Sequence, residues 1–275
     1  MNQFIQPVDV MPSEQGEKSG YMVYCTCVYG GNIGALTGIK QYKNSTWRER
    51  KHYSELLVNL ITKNEIIISP NCIVSKPTHA YSNGIIIIEE LINRTLGEHD
   101  QIEIDIGEKW FRINKKRAFH YANYALALGL LSEILANNAR DTGCRTALFE
   151  LDTLPGDQRS GYEIPGYRFI EDIMKKSKTI NELIDVAKKT HCMDEINIIP
   201  SRDKNSLRAS IVDWIAQSFN AAINVKEFED NIKKDVSKRR IQMEKIAFAI
   251  KDQIGRLGQN SDLIIIPLPK LKSLK

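Results

Sequence analysis

The alternation of apolar and polar residues near the start of the chain predicts an antiparallel hairpin. Its two β-rich runs cover residues 21–29 and 33–42 and flank Gly30-Gly31-Asn32, where the backbone tolerates the positive φ of a tight turn. Residues 1–19 are polar, with two prolines and scattered charge, and they predict a mobile N-terminal arm. The fold is therefore expected to begin at about residue 20.

The rest of the pattern alternates between helices and strands. Helical spacing is strongest over residues 115–139, where apolar residues cover most of the helix surface and predict packing against a sheet. The other predicted helices cover residues 47–63, 168–177, 179–189, 206–223 and 226–257. The other predicted strands cover residues 65–74, 101–106, 109–113, 146–151 and 195–200. This order predicts an α/β fold, a mixed sheet with helices on both faces, plus a long C-terminal helix.

Composition is that of an ordinary globular chain. Of the 275 residues, 42% are apolar and 26% are charged, which is enough to bury a sizeable core. The formal net charge of +4 permits a nucleic-acid partner without requiring one. Five cysteines, an odd number with no CxxC pair, favour the reducing cytoplasm over a disulfide framework. The apolar stretch 118–135 contains His120 and Glu133, so we expect a buried core helix and no membrane segment.

Two aspartates are the most suggestive candidates for chemistry. Asp152 ends the predicted strand 146–151, and Asp213 lies on a later predicted helix. Ligands bind at the carboxyl ends of strands in open α/β sheets, and paired carboxylates suit Mg²⁺ or Mn²⁺ because these cations prefer oxygen ligands. The alternative is structural: Asp152 caps a turn, and Asp213 is solvated on the helix surface.

Two short segments carry a resemblance to a known family. They are Ala147-Leu148-Phe149-Glu150-Leu151-Asp152 and Ile196-Asn197-Ile198-Ile199-Pro200-Ser201, the latter followed by Ile211-Val212-Asp213-Trp214-Ile215-Ala216. Their order over residues 20–224 resembles the ribonuclease-H-like fold. In particular it is similar to a domain-of-unknown-function family of bacterial and phage proteins that look like metal-dependent nucleases. The resemblance implies a nuclease with Asp152 and Asp213 as Mg²⁺ or Mn²⁺ ligands, assisted by Glu150, in phage defence or mobile-element biology.

The chain departs from that family at its first strand. The family's pattern begins with a strand that carries Asp-Glu-Ser-Gly, whereas Val23-Tyr24-Cys25-Thr26-Cys27 contains no acid. Thiol and hydroxyl groups are poor ligands for a hard cation. Either Glu49 or Glu55 on the first helix completes the ligand set, or the site is degenerate.

Basic residues supply a candidate contact with nucleic acid. Lys115-Lys116-Arg117 begins the strongest helix and could contact phosphates, although a solvated helix face is the ordinary alternative. His191 has no evident partner in the sequence and is not assigned a role.

Two functions therefore stand side by side. The first is a metal-dependent nuclease formed by a ribonuclease-H-like domain over residues 20–224. The second is a catalytically degenerate subunit that docks a protein partner, or a second copy, through the C-terminal helix and tail in residues 225–275. Geometry distinguishes them, because the carboxylates of Asp152 and Asp213 cannot share one ion if they lie more than about 8 Å apart.

Overall fold

The structure is a computed structural model, and it describes residues 3–11, 22–78, 101–105, 110–151, 166–200, 207–228, 238–258 and 263–269. The strands in this part of the chain are β1 (Gln3–Met11), β2 (Met22–Gly31), β3 (Ile66–Thr78), β4 (Gln101–Asp105), β5 (Trp110–Asn114), β6 (Thr146–Leu151), β7 (Glu195–Pro200) and β8 (Leu263–Pro269). The helices are α1 (Trp47–Thr62), α2 (Lys115–Asp141), α3 (Gly166–Lys176), α4 (Lys178–His191), α5 (Leu207–Phe228) and α6 (Lys238–Leu257). Two short 3₁₀ helices, Ile33–Leu36 and Tyr42–Asn44, precede α1. The protein is therefore of the α/β class.

Contacts divide the chain into two compact units. Unit 1 consists of Met1–Gln6, Pro77–Arg202 and Pro267–Lys275. Unit 2 consists of Pro7–Lys76 and Asp203–Ile266. This division differs from the predicted domain over residues 20–224. The reason is long-range packing within unit 2, where α6 lies against α1 and α5 lies against β2.

Strands β1, β2 and β3 form the antiparallel part of unit 2, and β8 is the next strand beyond β3. In this register Asp9 of β1 is opposite Cys25 of β2, and Cys25 is opposite Cys72 of β3. Pro7 has no N–H to offer the ladder. The Pro7 carbonyl still accepts a hydrogen bond, from the buried Thr26 hydroxyl at 2.7 Å.

Strand β1 occupies residues for which the sequence predicted a mobile arm. Gln6 is only 2% exposed, and Asn138 of α2 donates to its side-chain oxygen at 3.3 Å within unit 1. The prolines and charges of residues 1–19 suggested an arm, but strand formation depends on pairing with a partner more than on local composition. The other residues of the predicted arm lie outside the described part of the chain.

The predicted hairpin at Gly30-Gly31-Asn32 differs from the structure. Strand β2 ends there, and residues 33–36 form a 3₁₀ helix in place of a returning strand. Gly31 has φ +76°, and the Asn32 N–H donates to the Glu65 carbonyl at 2.9 Å. The chain thus leaves the sheet against the start of β3, which pairs with β2 in place of the predicted strand over residues 33–42.

Helices α1, α5 and α6 form the core of unit 2 with strands β2 and β3. The largest fully buried side chains in this core include Trp214, Leu57, Ile61, Ile66 and Ile68. Gln253 of α6 is 0% exposed and crosses this core. Its amide nitrogen donates to the carbonyls of Ile61 and Ile66, and its oxygen accepts from the Ile68 N–H. A buried amide with this many partners fixes α6 against the connection from α1 to β3.

Unit 1 contains the parallel pair β6 and β7, and its strand order is β7-β6-β1. Helix α2 packs on α3, α4 and β6, and its buried residues run from Tyr121 to Ala139. This confirms that the strongest apolar helix is a core helix. Among the described residues, no helix is both long enough and apolar enough to cross a membrane.

Most predicted elements match the observed ones to within two residues. The largest difference beyond the hairpin lies near the C-terminus, where one helix was predicted over residues 226–257. The structure has α5 ending at Phe228 and α6 beginning at Lys238, with residues 229–237 outside the described part. The apolar run after α6 is strand β8, because β3 offers it an open edge.

Gly31 gives a test of the β2 terminus. A Cβ at Gly31 would lie 2.4 Å from the Glu65 carbonyl oxygen, whereas a Cβ at Gly38, which has φ +88°, would meet nothing within 4 Å. We expect Gly38→Ala to lower the free energy of unfolding by about 1 kcal/mol, from the backbone alone. Gly31→Ala should cost at least about 2 kcal/mol because it adds a clash with backbone. Urea denaturation measures both, and equal losses would contradict the close approach.

Candidate functional site

Asp213 is a buried carboxylate on an otherwise apolar stretch of helix α5. Its side chain is 1% exposed, and its neighbours in sequence are all buried: Ile211, Val212, Trp214, Ile215 and Ala216. The carboxylate accepts a hydrogen bond from the backbone N–H of Tyr42, the first residue of the second 3₁₀ helix. A buried carboxylate needs such donors because it has lost its hydration. The alternative that Asp213 is solvated is therefore wrong.

Trp214 holds the same backbone segment from the next position on α5. Its indole N–H donates to the Lys40 carbonyl at 2.8 Å. Its ring meets the rings of Tyr42 and Tyr53 edge-on, with centroids 5.1 and 6.1 Å away. Arg50 packs on the Tyr42 ring, with its guanidinium carbon 4.4 Å from the ring centroid. Its Nε also donates to the Tyr42 carbonyl. Two adjacent residues of α5 thus fix residues 40–42.

The start of α1 is fixed by charge as well as by packing. Thr46 and Glu49 form a capping box, in which the Thr46 N–H donates to Glu49 at 2.7 Å. Lys40 donates to the other carboxylate oxygen of Glu49 at 2.7 Å. These bonds, with that from Lys40 the strongest, lower the pKa of Glu49 from 4.5 to about 2. The Glu49 carboxylate therefore binds Lys40 and the start of the helix. Any role of Glu49 as a metal ligand would compete with these bonds.

The predicted site residues fall in different parts of the structure. Glu150 is half-buried on β6, opposite Ile199 of β7, in unit 1. Asp152 follows the last residue of β6 and lies outside the described residues, so its predicted proximity to Asp213 stays a prediction. Residues 115–117 form the first turn of α2, and their predicted contact with nucleic acid also stays a prediction.

Asp9 is a candidate that the sequence analysis missed. It lies on β1 opposite Cys25, and residues directly opposite in an antiparallel pair share one face of the sheet. Cys25 belongs to the buried core that contains Trp214. Position 9 is therefore on the sheet face that α5 covers, and α5 carries Asp213. The sequence does contain a signal for this strand, because Asp9 lies between two β-branched residues, Val8 and Val10. The prediction of a mobile arm over residues 1–19 did not use that signal.

His191 also has partners that the sequence did not reveal. Its Nε2 lies 2.5 Å from a Glu133 carboxylate oxygen, and its Nδ1 lies 3.3 Å from Arg140 Nη1. This arrangement fits the tautomer in which Nε2 carries the proton and Nδ1 accepts from Arg140. Both ring nitrogens are engaged between α2 and α4, so the cluster fixes the end of α4 and has no nitrogen left for a substrate.

Neither the search for metal-ligand geometry nor the comparisons with known proteins assign a further functional residue. In the part of the chain that the structure describes, no group of three or more His, Cys, Asp or Glu side chains is arranged to hold a metal ion. No protein-family model, curated protein or solved structure matches the chain. The site must be judged on its own chemistry.

The structural role of Asp213 predicts that two substitutions of this residue lower the free energy of unfolding by different amounts. Asp213→Ala leaves the buried Tyr42 N–H without this acceptor and should lower the free energy of unfolding by about 2–3 kcal/mol. Asp213→Asn keeps an acceptor oxygen and should cost about 1 kcal/mol. Asp252→Ala, an exposed aspartate on α6, is the control and should change stability by less than about 0.5 kcal/mol. Equal effects of the two Asp213 variants in urea denaturation would contradict the assigned bond.

The lowered pKa of Glu49 predicts a specific pH dependence. Because the folded-state pKa lies below the ordinary 4.5, Glu49 stabilises the fold above about pH 4.5, and this contribution is lost as pH falls towards 2. Glu49→Gln should therefore reduce the slope of stability against pH between about 4.5 and 2. The matched control is Glu55→Gln, an exposed glutamate on the same helix. The assignment fails if both variants leave the slope in thermal denaturation unchanged.

Proposed function

We propose that this protein is a ribonuclease-H-like nuclease that cleaves phosphodiester bonds of nucleic acid with Mg²⁺ or Mn²⁺. The observation that carries the proposal is the existence of β1 before β2, with Asp9 on it. The family that the sequence resembles begins with an acid-bearing strand followed by a second strand. Strands β1 and β2 fit this order, with Asp9 on the first strand, whereas β2 itself carries no acid.

The proposed ligands in unit 2 are the carboxylates of Asp9 and Asp213. The roles of Asp152 as a further ligand and of Glu150 as an assisting acid stay predictions from the sequence. Carboxylate oxygens are the donors that these hard cations prefer, so the donor set fits the metal. The bound ion supplies a water nucleophile at neutral pH and stabilises the leaving oxygen of the phosphodiester. A carboxylate has about four acceptor sites on two oxygens. Asp213 could therefore bind a cation while it accepts from the Tyr42 N–H.

The remaining elements of the proposal concern substrate and compartment. The three cations at the start of α2, Lys115, Lys116 and Arg117, would neutralise phosphates at the substrate. Cys144 and Cys192 are free thiols, which is compatible with a reducing cytoplasm.

The second candidate is a degenerate subunit that docks a protein through its C-terminal helix and tail. The described apolar stripe of α6, Met243, Ile246 and Ile250, is at most 5% exposed and belongs to the core of unit 2. The following apolar run forms β8 beside β3. Because the chain uses these segments in its own fold, the observations favour the nuclease over docking through them.

A nuclease assay with Mg²⁺ or Mn²⁺ on DNA and RNA tests the proposal. Asp9→Asn, Asp152→Asn and Asp213→Asn should each lower the cleavage rate at least about a hundredfold, since even outer-shell partners of metal ligands are worth 10- to 100-fold. The matched controls are Asp252→Asn and Asp185→Asn, exposed aspartates on α6 and α4, which should cleave at the wild-type rate. Cleavage by wild type that survives all three site substitutions would eliminate this site. Absence of cleavage by wild type would favour the degenerate subunit.

A further inference from the structure

Trp47 presents a large aromatic face to solvent at the start of α1. Its side chain is 70% exposed, the highest value among the large apolar residues that the structure describes. The capping box of Thr46 and Glu49 fixes the backbone on which it stands. An indole held in water on a rigid helix turn contributes little to the core. Such a side chain is typical of a binding surface.

The surroundings of Trp47 are strongly basic. Residues 40–52 contain five Lys or Arg residues and one acid, and the chain's formal net charge of +4 is accounted for by this segment alone. The one acid, Glu49, is engaged by Lys40 and Thr46, and Arg50 is held on Tyr42. Among the cations of this segment whose side chains the structure describes, this leaves Arg48 and Lys51 exposed beside the ring.

Trp47, Arg48 and Lys51 are all exposed in the first two turns of α1, and we call these three residues the Trp47 patch. The Arg48 guanidinium carbon lies 5.7 Å from the Trp47 ring centroid. Lys51 is one helical turn further on, at the i+4 position, and so lies on the same face of α1 as Trp47. An aromatic face flanked by two cations is complementary to a base and the phosphates on either side of it.

Phe248 shows what an exposed aromatic residue looks like without this charge. It lies on α6 in the same unit and is 57% exposed. The charged residues one turn away on either side are Glu244, Lys245, Lys251 and Asp252, two of each sign. This balanced surface does not attract a polyanion, so Phe248 is a matched control for aromatic exposure alone.

We propose that the Trp47 patch binds single-stranded nucleic acid, with one base stacked on the indole and the flanking phosphates against Arg48 and Lys51. Single strands fit better than duplexes because their base faces are accessible for stacking, whereas in a duplex those faces are covered by neighbouring pairs. The inference rests on and deepens the proposed nuclease function, since it names the form of the substrate and a surface of α1 that holds it.

Binding is measured by fluorescence anisotropy of a labelled 20-nucleotide DNA strand of mixed sequence, in EDTA, where metal-dependent cleavage does not occur. Trp47→Ala should weaken binding roughly five- to a hundredfold, the range found for loss of one base–aromatic stack. Trp47→Phe should retain most of the affinity, and Phe248→Ala should bind as wild type does. Arg48→Ala and Lys51→Ala should each reduce the slope of log affinity against log salt by about 0.7.

The inference is overturned if Trp47→Ala and Phe248→Ala have the same affinity, if duplex of equal length binds more tightly, or if a protein partner binds the patch and nucleic acid does not. Because Trp47 is exposed, its variants should fold normally, and circular dichroism checks this. The outcomes separate from those of the nuclease assay. Patch-dependent binding without any cleavage would leave this inference standing and remove the nuclease, whereas cleavage with patch-independent binding would do the reverse.

Discussion

Unit 2 depends on the two hydrogen bonds by which α5 fixes residues 40–42. Asp213 accepts from the Tyr42 N–H, Trp214 donates to the Lys40 carbonyl, and both side chains are buried within the apolar core. These bonds satisfy backbone groups that would otherwise be buried without partners. They place the segment from which α1 begins, and with it the capping box and the exposed ring of Trp47. Loss of either bond should therefore destabilise the start of α1.

The same constraint gives the proposed site its chemistry. A carboxylate enters an apolar core only with strong partners, and the Tyr42 N–H is one such partner of Asp213. Asp9 is placed by register on the sheet face that α5 covers, so a strand acid and a helix acid belong to one unit. In the proposed function a divalent cation bound by these carboxylates compensates their charges. The structural and catalytic roles of Asp213 are thus compatible, and its asparagine variant separates them.

Elements with strong periodicity could be predicted from the sequence, and those set by distant partners could not. Helix α1 was predicted because its apolar spacing lies within one segment, and α2 because its apolar surface runs over many turns. Strand β1 was missed because its stability comes from pairing with β2, which local composition does not reveal. The prediction of a returning strand after Gly31 was wrong for a related reason. The Asn32 N–H donates to the carbonyl of Glu65, which lies far along the chain.

The site was predictable to the same limited extent. Asp213 could be singled out by its position in an apolar helix, but its bond to Tyr42 joins residues that are 171 positions apart. The Glu133–His191 pair spans 58 positions and gave no signal for the same reason. Asp9 became a candidate only when β1 was recognised as a strand, because an acid in an arm has no fixed neighbour.

The most direct test of the central claim is the anomalous scattering of crystals soaked in Mn²⁺. The account predicts a peak within about 2.5 Å of carboxylate oxygens from both Asp9 and Asp213, since Mn²⁺ binds oxygen ligands at roughly the distances of other hard divalent cations. The Tyr42 N–H should still donate to Asp213 in that structure. A structure with Mn²⁺ bound elsewhere, or with Asp9 and Asp213 on opposite faces of the sheet, would contradict it.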